Sequence, residues 1–299
     1  MIRKLSQIEE VVLSLKKKYR VAVAWPQDIN SIGAINKAVE NGLISAILIG
    51  NISEINKICH LNKIETDRFT LVESENESVA CEEAVRLARS DEADVIMKGL
   101  VGTDKFLRTV MDKEKGLMIP GAVLSYVCAL EIPAYQKLLF ITDPAVIPCP
   151  NLEQKVAMAR YAIGMAKKTG IGKPKIALIG ASEKMSKHFS YTSDYTEMKK
   201  MPEFLNDCEI DGPLDIFLAC DKKSVEIKGV ETPVNGEADI LLFPSLESSN
   251  PFYKGLMLFA KAELAGLIQG TEKPVIVMSR SESEQSKYYC IALSCLMAT

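Results

Sequence analysis

Short apolar runs alternate with longer stretches of mixed polar and apolar residues along this chain. Each run is apolar at successive positions, and a strand with two apolar faces is typical of a parallel sheet covered by helices. The runs predict strands over 20–25, 45–50, 69–73, 93–98, 137–142, 175–180, 238–243 and 274–278. Between them, apolar positions three and four residues apart predict amphipathic helices, for example over 32–40 and 78–90. The alternation predicts an α/β fold with mostly parallel sheets.

The length of 299 residues exceeds the usual size of one hydrophobic core, so we expect two α/β domains. Proline marks the joint before a long predicted helix, at Pro144, Pro148 and Pro150, and glycines with a further proline follow it over 170–174. A change of domain near residue 138 is therefore expected. Periodicity alone leaves open whether the last strand and helix rejoin the first domain.

Composition and charge exclude several classes of protein. The chain is 47% apolar and 25% charged with a formal net charge of -3, which gives no overall electrostatic attraction to nucleic acid or to an anionic membrane surface. No apolar segment has the length of a membrane-spanning helix, and the first residues do not resemble a signal peptide. The eight cysteines form no Cys-x-x-Cys pair, so we expect free thiols and a cytoplasmic location. With only two histidines, a Ser-His-Asp triad and a histidine-rich metal site are not expected, and we predict no metal.

Ser279 and Arg280 follow an apolar strand and precede a helical segment. In an open α/β sheet, ligands bind outside the carboxyl ends of strands and near helix N-termini. A hydroxyl beside a guanidinium suits a tetrahedral oxyanion such as phosphate. A surface pair with no ligand is the alternative, and the two residues alone do not decide between them.

A second strand-to-helix turn begins at Lys98 and Gly99. Glycines in this turn could free backbone N–H groups for an anion, Thr103 could cap the following helix, and Arg108 could point into the same cleft. The turn is neither a Walker P-loop nor a G-x-G-x-x-G fingerprint, so nucleotide hydrolysis and NAD binding lack their usual marks. A simple connection between two elements is the alternative interpretation.

Two further segments are polar at strand ends. Residues 211–214 are predicted to form a turn, because Asp, Gly and Pro favour one. After the strand at 238–243, Ser249 or Asn250 is predicted to cap a helix or, in the case of Asn250, to bind a ligand. Lys254 would then lie in the first turn, where a cation is unusual unless an anion binds nearby.

Together these segments resemble the phosphate acetyltransferase and phosphate butyryltransferase family, with the butyryl branch the nearer. The resemblance runs almost end to end and rests on 97–108, 113–117, 138–143, 211–214, 228–229, 238–244, 246–250, 253–254 and 279–283. It implies two α/β domains of the isocitrate and isopropylmalate dehydrogenase type, with the active site in the interdomain cleft. It places 1–137 with 268–299 in the first domain and 138–267 in the second. It also implies a homodimer or larger homo-oligomer.

The family's activity is the reversible transfer of a short-chain acyl group between coenzyme A and inorganic phosphate. The resemblance assigns anion binding to Arg108 and Arg280 and places Ser279 near the sulfur of coenzyme A. We further expect substrate contacts from Lys98, Gly99, Thr103, Asn250, Lys254 and Glu282. Coenzyme A is a substrate, so no cofactor is expected. Direct attack by a thiolate on an acyl phosphate needs two positioned substrates and a neutralised leaving group, and no covalent enzyme intermediate.

The chain departs from the family pattern at five positions, where it carries Tyr126, Phe217, Ser249, Met118 and Ser286. The first two and Met118 could reshape the acyl pocket or weaken phosphate binding. Ser286 stands where the acetyl branch has an aspartate, an acid that the butyryl branch also lacks. Glu282 or Glu284 could assist proton removal, although acids also favour helix starts for electrostatic reasons.

Two alternatives follow from these departures and from the fold. One is a non-catalytic paralogue that binds acyl-CoA or phosphate without turnover, which thermal stabilisation without acyl transfer would reveal. The other is an oxidative decarboxylase of the same broad fold, which would need a cluster of aspartates for a divalent metal and a nicotinamide site. Neither feature is visible in the sequence.

Overall fold

The computed structural model describes residues 1–279 and 282–298. The strands are β1 Tyr19–Ala24, β2 Ile44–Gly50, β3 Phe69–Glu73, β4 Val95–Lys98, β5 Ser125–Glu131, β6 Leu139–Thr142, β7 Lys175–Ile179, β8 Glu209–Leu214, β9 Ile240–Leu242, β10 Glu263–Gln269 and β11 Val275–Ile276. The helices are α1 Ser6–Ser14, α2 Ile29–Glu40, α3 Ile52–Leu61, α4 Glu77–Arg89, α5 Thr103–Val110, α6 Leu152–Lys168, α7 Tyr191–Met198, α8 Pro202–Asp207, α9 Ile216–Cys220, α10 Lys222–Lys228, α11 Leu246–Ala260 and α12 Glu284–Met297. The mixed α/β class with mostly parallel strands is confirmed.

The chain forms two compact units. The N-terminal unit consists of Leu5–Leu124 and the segment from Ala265 onward. The central unit consists of Ser125–Leu264, together with Met1–Lys4. The predicted domain limits at 137/138 and 267/268 stay a prediction. In the structure β5 belongs to the central unit, where it pairs with β6.

In the N-terminal unit the strand order is β3-β2-β1-β4-β11-β10. Every pair is parallel except β10 with β11. The last helix, α12, packs on α1 and α2, and α4 packs against β1 and β4. Because β1, β4 and β11 run in the same direction, the residues that follow them meet at one edge of the sheet.

In the central unit the strand order is β5-β6-β9-β7-β8. β5 is antiparallel to β6, and the remaining pairs are parallel. The long helix α6 covers β5, β6 and β9. It begins where the prolines predict, with Asn151 and Gln154 in a reciprocal capping box that satisfies two free N–H groups.

All eight apolar runs form strands, with ends displaced by a few residues at most, whereas β5, β8 and β10 were not predicted. The turn predicted at 211–214 is wrong, because these residues form the end of β8. This strand pairs with β7 alone and lies at the edge of the sheet, where a proline lacking its N–H is tolerated. At Gly212 any Cβ atom would lie 2.5 Å from the Leu178 carbonyl oxygen, so glycine is required by this close approach.

No helix in the described ranges is long and apolar enough to span a membrane.

Candidate active site

The candidate residues fall into two groups, one in each unit. Lys98, Gly99, Thr103, Arg108, Ser279 and Glu282 belong to the N-terminal unit, and Asn250 and Lys254 belong to the central unit. Arg280, which the sequence predicts to be catalytic, lies outside the described residues.

Lys98 and Ser279 lie at the carboxyl ends of neighbouring strands. Strands β4 and β11 are parallel, with Met97 opposite Ile276. Lys98 is the last residue of β4, and Ser279 comes three residues after the end of β11. The structure therefore brings the two predicted strand-end turns to the same edge of the sheet, as the parallel arrangement requires.

The turn after β4 is held by hydrogen bonds from the side chain of Lys98. Lys98 is 5% exposed, and its ammonium group donates hydrogen bonds of 3.1 Å to the carbonyl oxygens of Gly99 and Val101. A buried ammonium group needs such acceptors to offset the loss of its hydration. Lys98 thus fixes the backbone of the turn.

Gly99 is held against the end of β1. Its N–H donates to the Ala24 carbonyl oxygen at 2.9 Å, and the Leu100 N–H donates to the Trp25 carbonyl oxygen at 2.8 Å. A Cβ atom on Gly99 would lie 2.4 Å from the Trp25 oxygen, which is far inside van der Waals contact. The absence of a side chain at Gly99 is therefore what lets the two strand ends meet.

Thr103 does not cap α5, contrary to the prediction. Gly102 is the N-cap residue, and no side chain bonds to the first N–H groups of the helix. Thr103 is the first helical residue and is exposed. The helix therefore begins with N–H groups that no side chain of a cap satisfies, which is the arrangement that favours an anion.

Arg108 lines a groove of about 580 Å³ between α4 and α5. The groove is rich in charge, with cations from Arg86, Arg89, Arg108 and Lys115 and carboxylates from Glu82, Glu83 and Asp112. None of the other candidate residues lines it. Whether Arg108 shares a cleft with Ser279 and Arg280 thus stays a prediction.

Within this groove the arginines differ in their partners. Arg86 is paired with Glu83 at 2.8 Å and with Glu92 at 2.9 Å, and Arg89 donates to the Glu114 carbonyl oxygen. Arg108 is exposed and forms no hydrogen bond or ion pair within the described ranges. Among the three arginines of the groove, Arg108 is thus the one whose guanidinium has no protein partner in the described ranges and is available to bind an anion.

Ser279 and Glu282 are hydrogen-bonded to each other just before α12. The Ser279 N–H donates to the Glu282 carboxylate at 2.9 Å, and the Glu282 N–H donates to the Ser279 carbonyl oxygen at 3.3 Å. The helix then begins with Ser283 as its N-cap, whose hydroxyl oxygen accepts from the Ser286 N–H at 3.0 Å. Glu282 thus fixes the backbone of Ser279, and Ser279 itself is exposed.

In the central unit, Asn250 and Lys254 lie deeper in their helix than predicted. Ser245 is the N-cap of α11, so neither Ser249 nor Asn250 caps it, and Lys254 lies beyond the first turn. The Asn250 side-chain amide donates to the Pro144 carbonyl oxygen at 2.8 Å, and Lys254 is exposed. Asn250 therefore ties α11 to the loop that follows β6.

That loop is organised by Asp143, which the sequence analysis did not select as a site residue. Its carboxylate accepts four hydrogen bonds of 2.8–3.0 Å, from the N–H groups of Ala145, Val146 and Tyr126 and the hydroxyl of Ser125. Burial raises the pKa of the Asp143 carboxyl, and the four donors oppose this shift. An aspartate between a buried strand and a proline is the sequence signal that could have revealed it.

The positions that depart from the family pattern are spread over different surroundings. Tyr126 is buried in β5 and its N–H bonds to Asp143, whereas Phe217 on α9 is 67% exposed. Met118 lines a second groove, of about 620 Å³, in the N-terminal unit. In the described part of the chain no group of three or more His, Cys, Asp and Glu residues is placed to hold a metal ion.

The fold is that of the phosphotransacylases. The crystal structure of a branched-chain phosphotransacylase from Enterococcus faecalis superposes with a TM-score of 0.82 at 27% identity, covering 93% of this chain and 99% of that protein. A phosphate butyryltransferase of Clostridium beijerinckii is 36% identical over 296 residues, which is 98% of this chain and 96% of the relative. That of Clostridium acetobutylicum is 35% identical over 298 residues, 98% of this chain and 99% of the relative.

The family described as "Phosphate acetyl/butaryl transferase" matches residues 76–295. The chain therefore belongs to the phosphate acetyl/butyryl transferase family. The resemblance predicted from the sequence motifs is confirmed, and with it the assignment to the acyltransferases.

Proposed function

We propose that this protein transfers a short-chain acyl group, such as butyryl, reversibly between coenzyme A and inorganic phosphate. The observation that carries the proposal is the similarity to phosphate butyryltransferases over 98% of the chain. The exposed hydroxyl of Ser279 and the turn at Lys98 and Gly99, at one edge of a parallel sheet, supply a suitable place for the reaction.

We propose a direct transfer with no acyl-enzyme. The thiolate of coenzyme A attacks the carbonyl carbon of the acyl phosphate, a C–S bond forms, and the C–O bond to phosphate breaks with its electron pair leaving on phosphate. In the reverse direction a phosphate oxygen attacks the thioester and the thiolate leaves. Both directions pass through a tetrahedral oxyanion, which positioned donors and cations stabilise.

Each candidate residue has a role in this proposal. Arg280 and Arg108 neutralise phosphate, and the Ser279 hydroxyl donates to the sulfur or to the oxyanion. Thr103 and the open N-terminus of α5 bind an anionic oxygen. Lys98 and Gly99 hold the turn after β4 in shape, and Glu282 holds the backbone of Ser279, as their hydrogen bonds require. Asn250 and Lys254 contribute from beyond the first turn of α11.

The finer features implied by the resemblance are part of the same proposal. We infer that the two units correspond to domains of the isocitrate dehydrogenase type. A homo-oligomer in a reducing cytoplasm, with no cofactor and with coenzyme A as a substrate, completes the proposal.

The test is release of coenzyme A from acetyl-, propionyl-, butyryl- and valeryl-CoA, followed with a thiol reagent with and without phosphate. We expect release that requires phosphate and is fastest with a short acyl chain longer than acetyl. Release independent of phosphate would refute the transferase. Binding of coenzyme A without any release would favour a non-catalytic paralogue.

Arginine variants test the site within the same assay. Arg280→Ala and Arg108→Ala are each expected to lower turnover by about 100-fold or more, because charge on the leaving phosphate loses its partner. Arg86→Ala is the matched control, since its guanidinium lines the same groove as Arg108 but is already neutralised by two carboxylates. Normal turnover in Arg108→Ala would remove this residue from the mechanism.

A further inference from the structure

A pocket of about 400 Å³ opens in the central unit at the edge where β6 and β9 begin. One wall comes from residues 134–137, which lead into β6, and another from Gly236 and Glu237, which lead into β9. Lys222, at the start of α10, and Arg3 also line it. Strands β6 and β9 are parallel neighbours, so their amino ends lie side by side. All the lining residues belong to the central unit.

The candidate site residues of this unit lie at the opposite ends of the same strands. Asp143 follows the carboxyl end of β6, and α11, with Asn250 and Lys254, follows the carboxyl end of β9. Strand β6 has four residues, which span about 13 Å at about 3.3 Å per residue. The pocket is therefore separate from Asp143, Asn250 and Lys254.

Positive charge dominates the pocket. Among the described residues that line it are three cationic side chains and one carboxylate, those of Arg3, Lys137, Lys222 and Glu237. The carboxylate is already paired, because it accepts from the Lys175 ammonium group at 3.0 Å. The pKa of Glu237 lies below its ordinary value mainly because of Lys175, and Lys137 and Lys222 lower it further. The electrostatic potential in the pocket is therefore suited to an anion.

Donors for a ligand remain on several of these side chains. Lys222 is exposed and forms no hydrogen bond or ion pair in the ranges that the structure describes. The Lys137 ammonium group donates at 2.8 Å to the Glu237 carbonyl oxygen and at 2.5 Å to the Asp239 carboxylate, which uses two of its three N–H groups. Gln136 adds an exposed side-chain amide to the same wall. The donors come from separate segments of the chain and converge on one cavity.

Hydrogen bonds within the protein hold the walls of the pocket in place. The Tyr135 hydroxyl donates to the Ala238 carbonyl oxygen at 2.7 Å, and the Ala238 N–H donates to the Ala219 carbonyl oxygen at 2.9 Å. Gly236 has a φ of 69°, and a Cβ atom there would collide with the backbone nitrogen of Lys222. Because these contacts fix the segments that form the pocket, little ordering is needed on binding, which favours affinity.

We propose that this pocket binds a small organic phosphate. Arginine and lysine donors from three segments can surround a tetrahedral dianion, whereas a carboxylate presents only two oxygens in one plane. Tyr135 and Ala134 supply carbon surface for the organic part of the ligand. The volume of about 400 Å³ lies within the range of about 300–1,000 Å³ that is usual for small-molecule sites.

Pyridoxal 5′-phosphate tests the location of the site, because it carries a phosphate monoester and an aldehyde on one small ring. Its aldehyde carbon condenses with a lysine amine, water is lost, and borohydride reduces the C=N bond to a stable amine. Peptide mass spectrometry then measures each lysine separately. Lys222 is expected to be labelled at least about tenfold faster than Lys223, its exposed neighbour outside the pocket. Phenyl phosphate should protect Lys222 but not Lys223.

Titration calorimetry tests the chemical class of the ligand. Phenyl phosphate is expected to bind at least about tenfold more tightly than benzoate, which has the same ring but a planar, singly charged head. Lys222→Glu should weaken the binding of phenyl phosphate by about tenfold or more, and the matched control Lys223→Glu should change it by less than about twofold. Both lysines lie in the first turn of α10, where an acid is favourable, so both variants should fold.

Three results would overturn the proposal. Equal labelling of Lys222 and Lys223, or labelling of Lys222 that phenyl phosphate does not prevent, excludes a phosphate site in the pocket. Benzoate that binds as tightly as phenyl phosphate excludes the chemical class. Unchanged affinity in Lys222→Glu places the ligand elsewhere. None of these measurements requires turnover, so their outcome is independent of the proposed acyl transfer.

Discussion

At the scale of single residues, Gly99 is a point of very close backbone approach in the N-terminal unit. The methyl group of an alanine there would lie 2.4 Å from the Trp25 carbonyl oxygen and 2.8 Å from that of Ala24. Gly99→Ala is therefore expected to destabilise the protein by about 1–3 kcal/mol, the usual cost of forcing atoms into a packed region. Urea unfolding measures this difference in free energy.

Gly102 provides the matched control three residues further on. A Cβ atom there meets nothing within 4 Å, and the residue has an ordinary negative φ of -62°. Gly102→Ala should change the free energy of unfolding by less than about 1 kcal/mol. Equal losses in both variants would show that the close approach at Gly99 does not limit the turn.

The ion pair between Arg20 and Asp94 makes stability depend on pH. The Asp94 carboxylate accepts from the Arg20 N–H at 2.8 Å and from its guanidinium at 3.1 Å, twice. Burial by itself would raise the pKa of Asp94, but these bonds to Arg20 lower it below its ordinary value. A folded-state pKa below the unfolded one stabilises the protein above the unfolded pKa, near 3.9, and this contribution is lost as pH falls through the folded value.

Asp94→Asn isolates that contribution. At neutral pH the variant is expected to be about 1.5–3 kcal/mol less stable, because the guanidinium loses a charged acceptor. The difference from wild type should shrink as pH falls below about 4, where the Asp94 carboxyl of the unfolded chain becomes protonated, and should vanish once pH has fallen through the lower pKa of the folded protein. Urea unfolding of both proteins between neutral and acidic pH gives the comparison, and a difference that is constant with pH would contradict it.

The positions of the candidate side chains in the fold were predicted from the sequence more accurately than their local hydrogen bonds were. Lys98 and Ser279 were expected at strand ends, and the parallel register of β4 and β11 places them there. Thr103 and Asn250 were expected to cap helices, but Gly102 and Ser245 do so. Helix starts differ by a few residues between otherwise similar sequences, because several polar residues in succession can accept from the same N–H groups.

At the scale of elements, Asp143 in the loop after β6 connects β5, β6 and α11. Its side chain holds the start of β5 through Ser125 and Tyr126, and its carbonyl oxygen accepts from the buried hydroxyl of Ser249 on α11 at 2.6 Å. Backbone N–H groups of the loop complete the set of donors. Such a four-donor site fixes where β5, β6 and α11 meet.

Asp143→Asn is expected to cost about 2–4 kcal/mol of folding free energy, because the amide nitrogen would face donors that then lack an acceptor. Chemical unfolding measures the loss, and Asp221→Asn is the control. Asp221 caps the short helix α10 on the surface, where an asparagine caps equally well. A loss below about 0.5 kcal/mol in Asp143→Asn would contradict the organising role.

The missed strands have a common physical cause. β8 contains Asp, Gly and Pro, which are depleted in strands, and its place at the edge of the sheet compensates for them. β5 follows a stretch with proline and glycine and has a partner, β6, that runs antiparallel to it. Local propensity contains no information on the position of a strand in a sheet or on its partners. Strand formation at β5 and β8 therefore depends on tertiary context.

At the scale of the whole molecule, the thiols are distributed very unevenly. Of the eight free cysteines, six are buried, Cys220 is partly buried and Cys149 is exposed. Burial raises the pKa of Cys81 and Cys208 to about 11 and that of Cys220 to about 12. Since the thiolate is the reactive form, these groups are slow nucleophiles at neutral pH.

We therefore expect one thiol, that of Cys149, to react rapidly with a thiol reagent in the native protein. The other thiols are expected to react at least about 100-fold more slowly. All eight should react once the protein is unfolded. Cys149→Ser should abolish the rapid phase and so remove the background from the coenzyme A assay. A second rapid phase in that variant would show that another thiol is accessible.

The N-terminal unit is made from two distant parts of the chain, and this has a consequence for protein synthesis. On the ribosome, β4 is made long before β11 and α12, which later occupy its side and cover α2. Until then that part of the nascent chain keeps a strand with one unpaired edge and an uncovered helix face. The central unit, almost continuous in sequence, has no such delay. We expect chaperone binding during translation to concentrate on the nascent N-terminal unit.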